Sequence, residues 1–218
     1  MKIGLLRVLL DPGHFFEARM QGEPSLKVPA LIALVIALIG AVSTIPMMDI
    51  TMAMLPAEMQ GLGLLIAVFS AAIAFVGGFL AWIIYGVVFY IVSMIFKGQG
   101  SLSRTLEFTG YGLIPQVFGG IIGTYFSYRL LSGLHIPPMT NPEQMVAFSE
   151  NLVTILTTSP LAQIAGIVSI LFTLWSANIW IFGMKHARNL STRDAALTVG
   201  IPVGLYILYM LITLSGWL

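Results

Sequence analysis

The sequence predicts an all-α, polytopic helical membrane protein with five transmembrane helices, its N-terminus cytoplasmic and its C-terminus outside. Three observations predict it. The chain is 58% hydrophobic and 9% charged, where an average soluble domain is roughly 25% charged. Uncharged runs recur at residues 28–48, 59–96, 108–128, 151–184 and 195–218. Each reaches the about 20 apolar residues that a helix needs to cross about 30 Å of hydrocarbon. With the gaps placed alternately, nine of the ten Lys and Arg residues fall on one side, and only Arg129 falls on the other. Lys and Arg mark the cytoplasmic face. Sheet alternation is absent, and lipid admits only helices or closed barrels.

Residues 1–27 read as a cytoplasmic amphipathic segment, set apart from a single membrane domain over 28–218. Arg7 interrupts the apolar stretch Ile3 to Leu10 and no small-residue cleavage site follows, so this segment is expected to stay on the mature protein. Asp11 is a good N-cap and Pro12 suits a first helical position, which predicts a short helix carrying Phe15, Phe16 and Met20 toward lipid. Span 1 is placed at 28–48, entered by Pro24 and Pro29 and left by Pro46. The run 59–96 is too long for one upright span and too short for two with a turn. Splitting it would put Lys97 and Arg104 outside, so span 2 is placed at 69–96 with 52–68 on the outer surface.

Span 3, at 108–130, contains Pro115 with Gly119, Gly120 and Gly123. Pro115 lacks an N–H and its ring presses on the carbonyl of Tyr111, so a kink or break is expected there. Asn141, Pro142 and Gln144 look like the start of an outer helix, on which Met145, Phe148, Leu152 and Ile155 recur at helical spacing. Span 4 follows at 160–184. Span 5, at 195–217, is capped by Ser191 or Thr192, with Asp194 in its first turn and Pro202 inside. The sequon Asn189-Leu-Ser191 then falls in the cytoplasm, where it is inert.

The composition excludes several functions. A net charge of +1 without a dense basic block argues against nucleic acid. With no Cys there is no disulfide or zinc–thiolate site. His14, His135 and His186 lie in three separate gaps, so no metal-ligand pair or cofactor is expected. No acid or base sits at the middle of a span, which removes the usual mark of ion-coupled transport. Glu107 and Arg129 bracket span 3 and are expected to snorkel to the interfaces.

What remains is a set of candidate positions. Tyr111, Pro115, Gln116, Gly119, Gly123 and Asn178 form a structural motif or polar pocket at the broken span, with Gln116 and Asn178 its foremost polar members. The pairs Gly119/Gly123 and Gly200/Gly204 are expected to serve internal helix packing. Lys97, Arg104, Lys185, Arg188 and Arg193 make a cytoplasmic basic face suited to anionic headgroups. Met52 and Met54, in an outer Met-rich stretch, offer soft ligands for Cu(I) and support an alternative reading as a small-solute or metal permease.

Two stretches carry a family resemblance. Glu107-Phe-Thr-Gly-Tyr-Gly-Leu-Ile-Pro115 resembles the opening of the third span in the Yip1-domain family. Trp175-Ser-Ala-Asn-Ile-Trp-Ile-Phe-Gly183, followed by Met184-Lys-His-Ala-Arg188 and a Ser-capped fifth span, is similar as well, and Leu10-Asp-Pro12 to Phe15-Phe16 resembles the start of prokaryotic members. The resemblance implies a five-span bundle with a cytoplasmic N-terminus and assigns Tyr111 and Pro115 structural roles. Eukaryotic relatives act in vesicle traffic and meet Rab-type GTPases through long cytosolic regions. Residues 1–27 do not match such a region, so GTPase binding is not carried over. The expectation is a non-enzymatic plasma-membrane scaffold that binds or organises lipids or partner proteins.

Overall fold

The computed structural model describes residues 4–55, 59–134 and 142–215, and every regular element among them is helical. In order these are α1 (Leu6–Leu10), α2 (Pro12–Arg19), α3 (Lys27–Val42), α4 (Ile45–Met54), α5 (Gln60–Ile95), α6 (Leu102–Tyr111), α7 (Ile114–Leu131), α8 (Pro142–Thr158), α9 (Pro160–Ala187) and α10 (Thr192–Leu214). Among the described residues, four stretches are long and apolar enough to cross a membrane: Lys27–Met54, Gly61–Ile95, Pro160–Ala187 and Thr192–Leu214. Their outer faces carry Leu, Ile, Val and Phe open to the surroundings, among them Ile73, Ile95, Leu171 and Leu205. That is the arrangement expected of helices solvated by lipid tails, which are as apolar as the side chains.

The expected third span is two helices. α6 ends at Tyr111, Gly112 and Leu113 form the joint, and α7 starts at Ile114 with Pro115 in its first turn. The break lies where Pro115 predicts it, because residue 115 has no N–H to return to Tyr111. Seven of the ten α6 residues are buried, so this short helix, and not a long span, is the enclosed centre of the molecule. It packs among α3, α5 and α9, while α9 also receives α7 and α10.

Two expectations about the flanks are corrected. Residues 60–68 do not lie apart from span 2, because α5 runs unbroken over 36 residues from Gln60. At about 1.5 Å per residue it exceeds the hydrocarbon thickness and projects from it or tilts. Residues 45–54 likewise continue span 1 as α4, after a joint at Ser43 and Thr44. The second correction concerns α2. Asp11 caps it through the His14 amide as expected, but Phe15 and Phe16 point into the protein. Phe15 meets Tyr111 edge-on at 5.1 Å and Phe16 lies 4.5 Å from Phe108, so their apolar area is covered by α6 and α9 while Met20 alone stays exposed.

α8 forms over Pro142–Thr158, with Met145, Phe148, Leu152 and Ile155 on its more covered side. The expected cap Asn141 lies outside the described residues, as do 216 and 217 of the fifth span. Ser191 caps α10 through the Asp194 amide. Gly119 serves close packing, since a Cβ there would meet Phe172 at 3.0 Å, but a Cβ on Gly123, Gly200 or Gly204 would meet nothing within 4 Å, so these three do not serve internal packing as expected.

Candidate functional site

The joint in the third span creates the first set of special contacts. In an unbroken helix the Leu113 amide would reach Thr109, but here it bonds to Gly110 at 3.2 Å. The Thr109 carbonyl is taken instead by the indole N–H of Trp180 on α9, at 2.8 Å. Trp82 on α5 donates in the same way to the Leu106 carbonyl at 2.8 Å. Two indoles therefore clamp α6, and that of Trp180 meets a carbonyl which the break leaves without its helical partner. Gly112 is required by this clamp, because any Cβ would overlap the Trp180 ring.

At the N-terminal end of α6 lies a buried ion cluster. Glu107 has no exposed surface; its Oε1 accepts from Arg19 Nε at 2.6 Å and its Oε2 from Arg104 at 2.7 Å. Arg104, buried over the Phe108 ring, also donates to the carbonyls of Arg19 and Gly22. Glu107 thus does not snorkel as expected: α2 and the chain after it cover α6, and the carboxylate is satisfied inside the protein. Arg129, at the far end of α7, is exposed.

A second arginine fastens the adjacent loop. Arg188 is 2% exposed at the end of α9, donates to Ser93 Oγ at 2.8 Å and to the carbonyls of Gly98 and Gly100, and lies over the Tyr90 ring at 4.1 Å. Its own carbonyl accepts from the Gln99 amide at 2.8 Å. Loop 97–100 takes the strained turns this needs, with Lys97 at φ 58° and Gly100 at φ 118°. Burial removes Arg104 and Arg188 from the expected basic surface. Lys97 and Arg193 are exposed and Lys185 half-buried, and none of the three has an acidic partner among the described residues.

Inside the bundle, Gln116 sits where two cavities meet. One of 190 Å³ lies beneath the joint, lined by Trp82, Tyr85, Leu113, Trp180 and Tyr206 as well as Gln116. The other, of 340 Å³, runs between α3, α7 and α9 past Ser43, Gly123, Thr124, Ser127 and Ser169. Gln116 Nε2 donates to Thr173 Oγ1 at 3.4 Å and Ser176 Oγ at 3.3 Å. The structure thus brings Gln116, Gly119 and Gly123 to one cavity, with Tyr111 and Pro115 buried at the joint beside it. Asn178 is exposed on α9 and lines neither cavity.

Met52 and Met54 both lie on α4. Residues two apart on a helix do not face each other, and the Met52 sulfur packs where a Cβ on Gly63 would sit. Their placement on α4 gives the permease alternative no supporting observation. The sequence missed Trp82, Ser93 and Arg19 as site residues. The spacing of Arg104 and Glu107, three apart, was the available signal for the ion cluster; nothing local marks Trp82 or Ser93.

Residues 6–214 match the Yip1 domain. An uncharacterized protein of Methanocaldococcus jannaschii is 35% identical over 128 residues, which cover 59% of this chain and 91% of that relative. No solved structure matches the chain at a significant level.

Proposed function

The chain belongs to the Yip1-domain family, and from that premise we propose that it is a five-span, non-enzymatic scaffold of the plasma membrane. In this reading α6 and α7 together make the third crossing, the N-terminus is cytoplasmic and the C-terminus outside. The end of the bundle carrying Lys97, Lys185 and Arg193 then faces the cytoplasmic leaflet and gathers anionic headgroups or a protein partner.

One observation carries the proposal: the basic residues at that end divide into two groups. Arg19, Arg104 and Arg188 are spent on holding the loops and the N-terminal helices, while Lys97 and Arg193 stand exposed without acidic partners among the described residues. A platform with such cations suits the negative leaflet surface, where each Lys or Arg contributes about 1 kcal/mol, roughly a five-fold change in affinity.

The test is retention of phosphatidylglycerol by protein reconstituted with phosphatidylcholine and phosphatidylglycerol, read by native mass spectrometry. Retention should fall in Lys97→Gln with Arg193→Gln and with rising salt. Equal retention by variant and parent at all salt concentrations would remove the basis for the headgroup role.

A further inference from the structure

We propose that the cavity between α3, α7 and α9 is a binding site for a neutral, hydroxyl-bearing lipid of the acylglycerol class. The inference rests on the proposed scaffold reading only in taking the bundle as membrane-embedded. It concerns a different lipid class and the opposite end of the bundle.

Three features carry it. The first is a lining that sets hydroxyl and amide groups among apolar ones and carries no charge. Gln116, Ser43, Thr124, Ser127 and Ser169 face a 340 Å³ space with no ionisable side chain on its wall. An uncompensated charged headgroup would be expensive there, whereas hydroxyl and ester oxygens are not.

The second is unfilled hydrogen-bonding capacity. Ser43 Oγ is already bonded to the Ile39 carbonyl and to Thr124 Oγ1, and Thr124 to the Gly120 carbonyl. Ser127 and Ser169, both half-buried on this wall, have no hydrogen-bond partner among the described residues. In a membrane interior an unmet hydroxyl is costly, and a bound polar head relieves it.

The third is the shape of the space. At Ile39 and Thr124 the polar cavity adjoins an apolar groove of 310 Å³ between α3 and α7, lined by Val35, Leu38, Val42 and Ile121. Val35, Leu38, Val42 and Ile121 are exposed on the lipid side. A head seated by Ser127 and Ser169 would therefore leave its chain lying along α3, with the tail still in the bilayer. A column of water would fill the polar half but has no use for the groove. A charged phospholipid would fit the groove but not the polar half.

Gly123 provides a clean obstruction. A Cβ there meets nothing within 4 Å, so a larger side chain projects into the cavity without displacing the protein. The experiment uses protein reconstituted in phosphatidylcholine vesicles containing a diacylglycerol with a photoreactive diazirine chain, with labelled peptides located by mass spectrometry. Expected are saturable labelling on 35–42 and 121–127, and competition by unlabelled diacylglycerol but not by phosphatidylglycerol. Labelling should be lost in Gly123→Phe and weakened about ten-fold in Ser127→Ala with Ser169→Ala, as two net hydrogen bonds near 0.7 kcal/mol each imply.

The alanine pair changes no packing volume of note, so it remains informative if Gly123→Phe folds poorly. Unsaturable labelling spread over all lipid-facing helices, or equal competition by both lipids, would overturn the site. Either failure leaves phosphatidylglycerol retention at Lys97 and Arg193 untouched, and loss of that retention leaves this site standing.

Discussion

Glu107 is the residue on which the N-terminal end turns. Two arginines from different parts of the chain meet it, one on α6 itself and one at the end of α2. Replacing it by Gln leaves Arg104 buried and Arg19 half-buried without a counter-charge, and removal of one member of such a cluster costs up to about 3–5 kcal/mol. Thermal unfolding in detergent should show that loss, and proteolysis should show α2 released. Arg188 acts through its fork. A lysine keeps the charge but cannot serve Ser93, Gly98 and Gly100 together. Arg188→Lys should therefore speed amide exchange at Gln99, whose N–H is bonded to the Arg188 carbonyl, while leaving the outer ends of the helices unchanged.

His14 supplies a pH-dependent contact at the same scale. Its side-chain bond to Asp11 holds the imidazole above its ordinary 6.5, and the same bond holds the Asp11 carboxyl below its ordinary 3.8. The histidine contribution is full below 6.5 and is lost as pH rises through the raised value. The aspartate contribution is present above 3.8 and is lost as pH falls through the lowered value. The cap of α2 is firmest between them. An NMR titration should place His14 above 6.5, and Asp11→Asn should bring it back.

Among the elements, the broken third span shows how far sequence reading reaches. Pro115 announces the break because a missing N–H is a local property. The indole clamp at Thr109 and Leu106 was not legible, since it depends on which faces of α5 and α9 reach α6. Phe15 and Phe16 failed for the same reason: an apolar pair near a membrane reads alike whether lipid or protein covers it, and only the docking of α2 decides. Met52 and Met54 lie two residues apart on one helix, where neighbouring side chains do not face each other. For the clamp itself, Trp180→Phe keeps most of the ring but abandons the Thr109 carbonyl. It should cost about 1–3 kcal/mol, measured by thermal unfolding.

For the whole molecule, composition and the one-sided distribution of Lys and Arg were enough to read a multi-pass helical membrane protein, which the apolar helices and the family membership bear out. Burial was not legible from charge: the same bias that marks a face cannot say which arginines are turned inward. Gln116 was legible as a pocket member because a polar amide beside a proline break has few other uses, whereas Asn178, equally polar, is turned outward by one helical phase.

The central claim is that α6 and α7 cross the membrane together, putting loop 97–100 and α8 on opposite sides. The chain contains no cysteine, so single substitutions report cleanly. The deciding measurement is labelling of Lys97→Cys, Arg193→Cys and Glu143→Cys by a membrane-impermeant maleimide, in intact cells and in inverted vesicles. Positions 97 and 193 are expected to react only in inverted vesicles and position 143 only in intact cells. Reaction of positions 97 and 143 from the same side would contradict it.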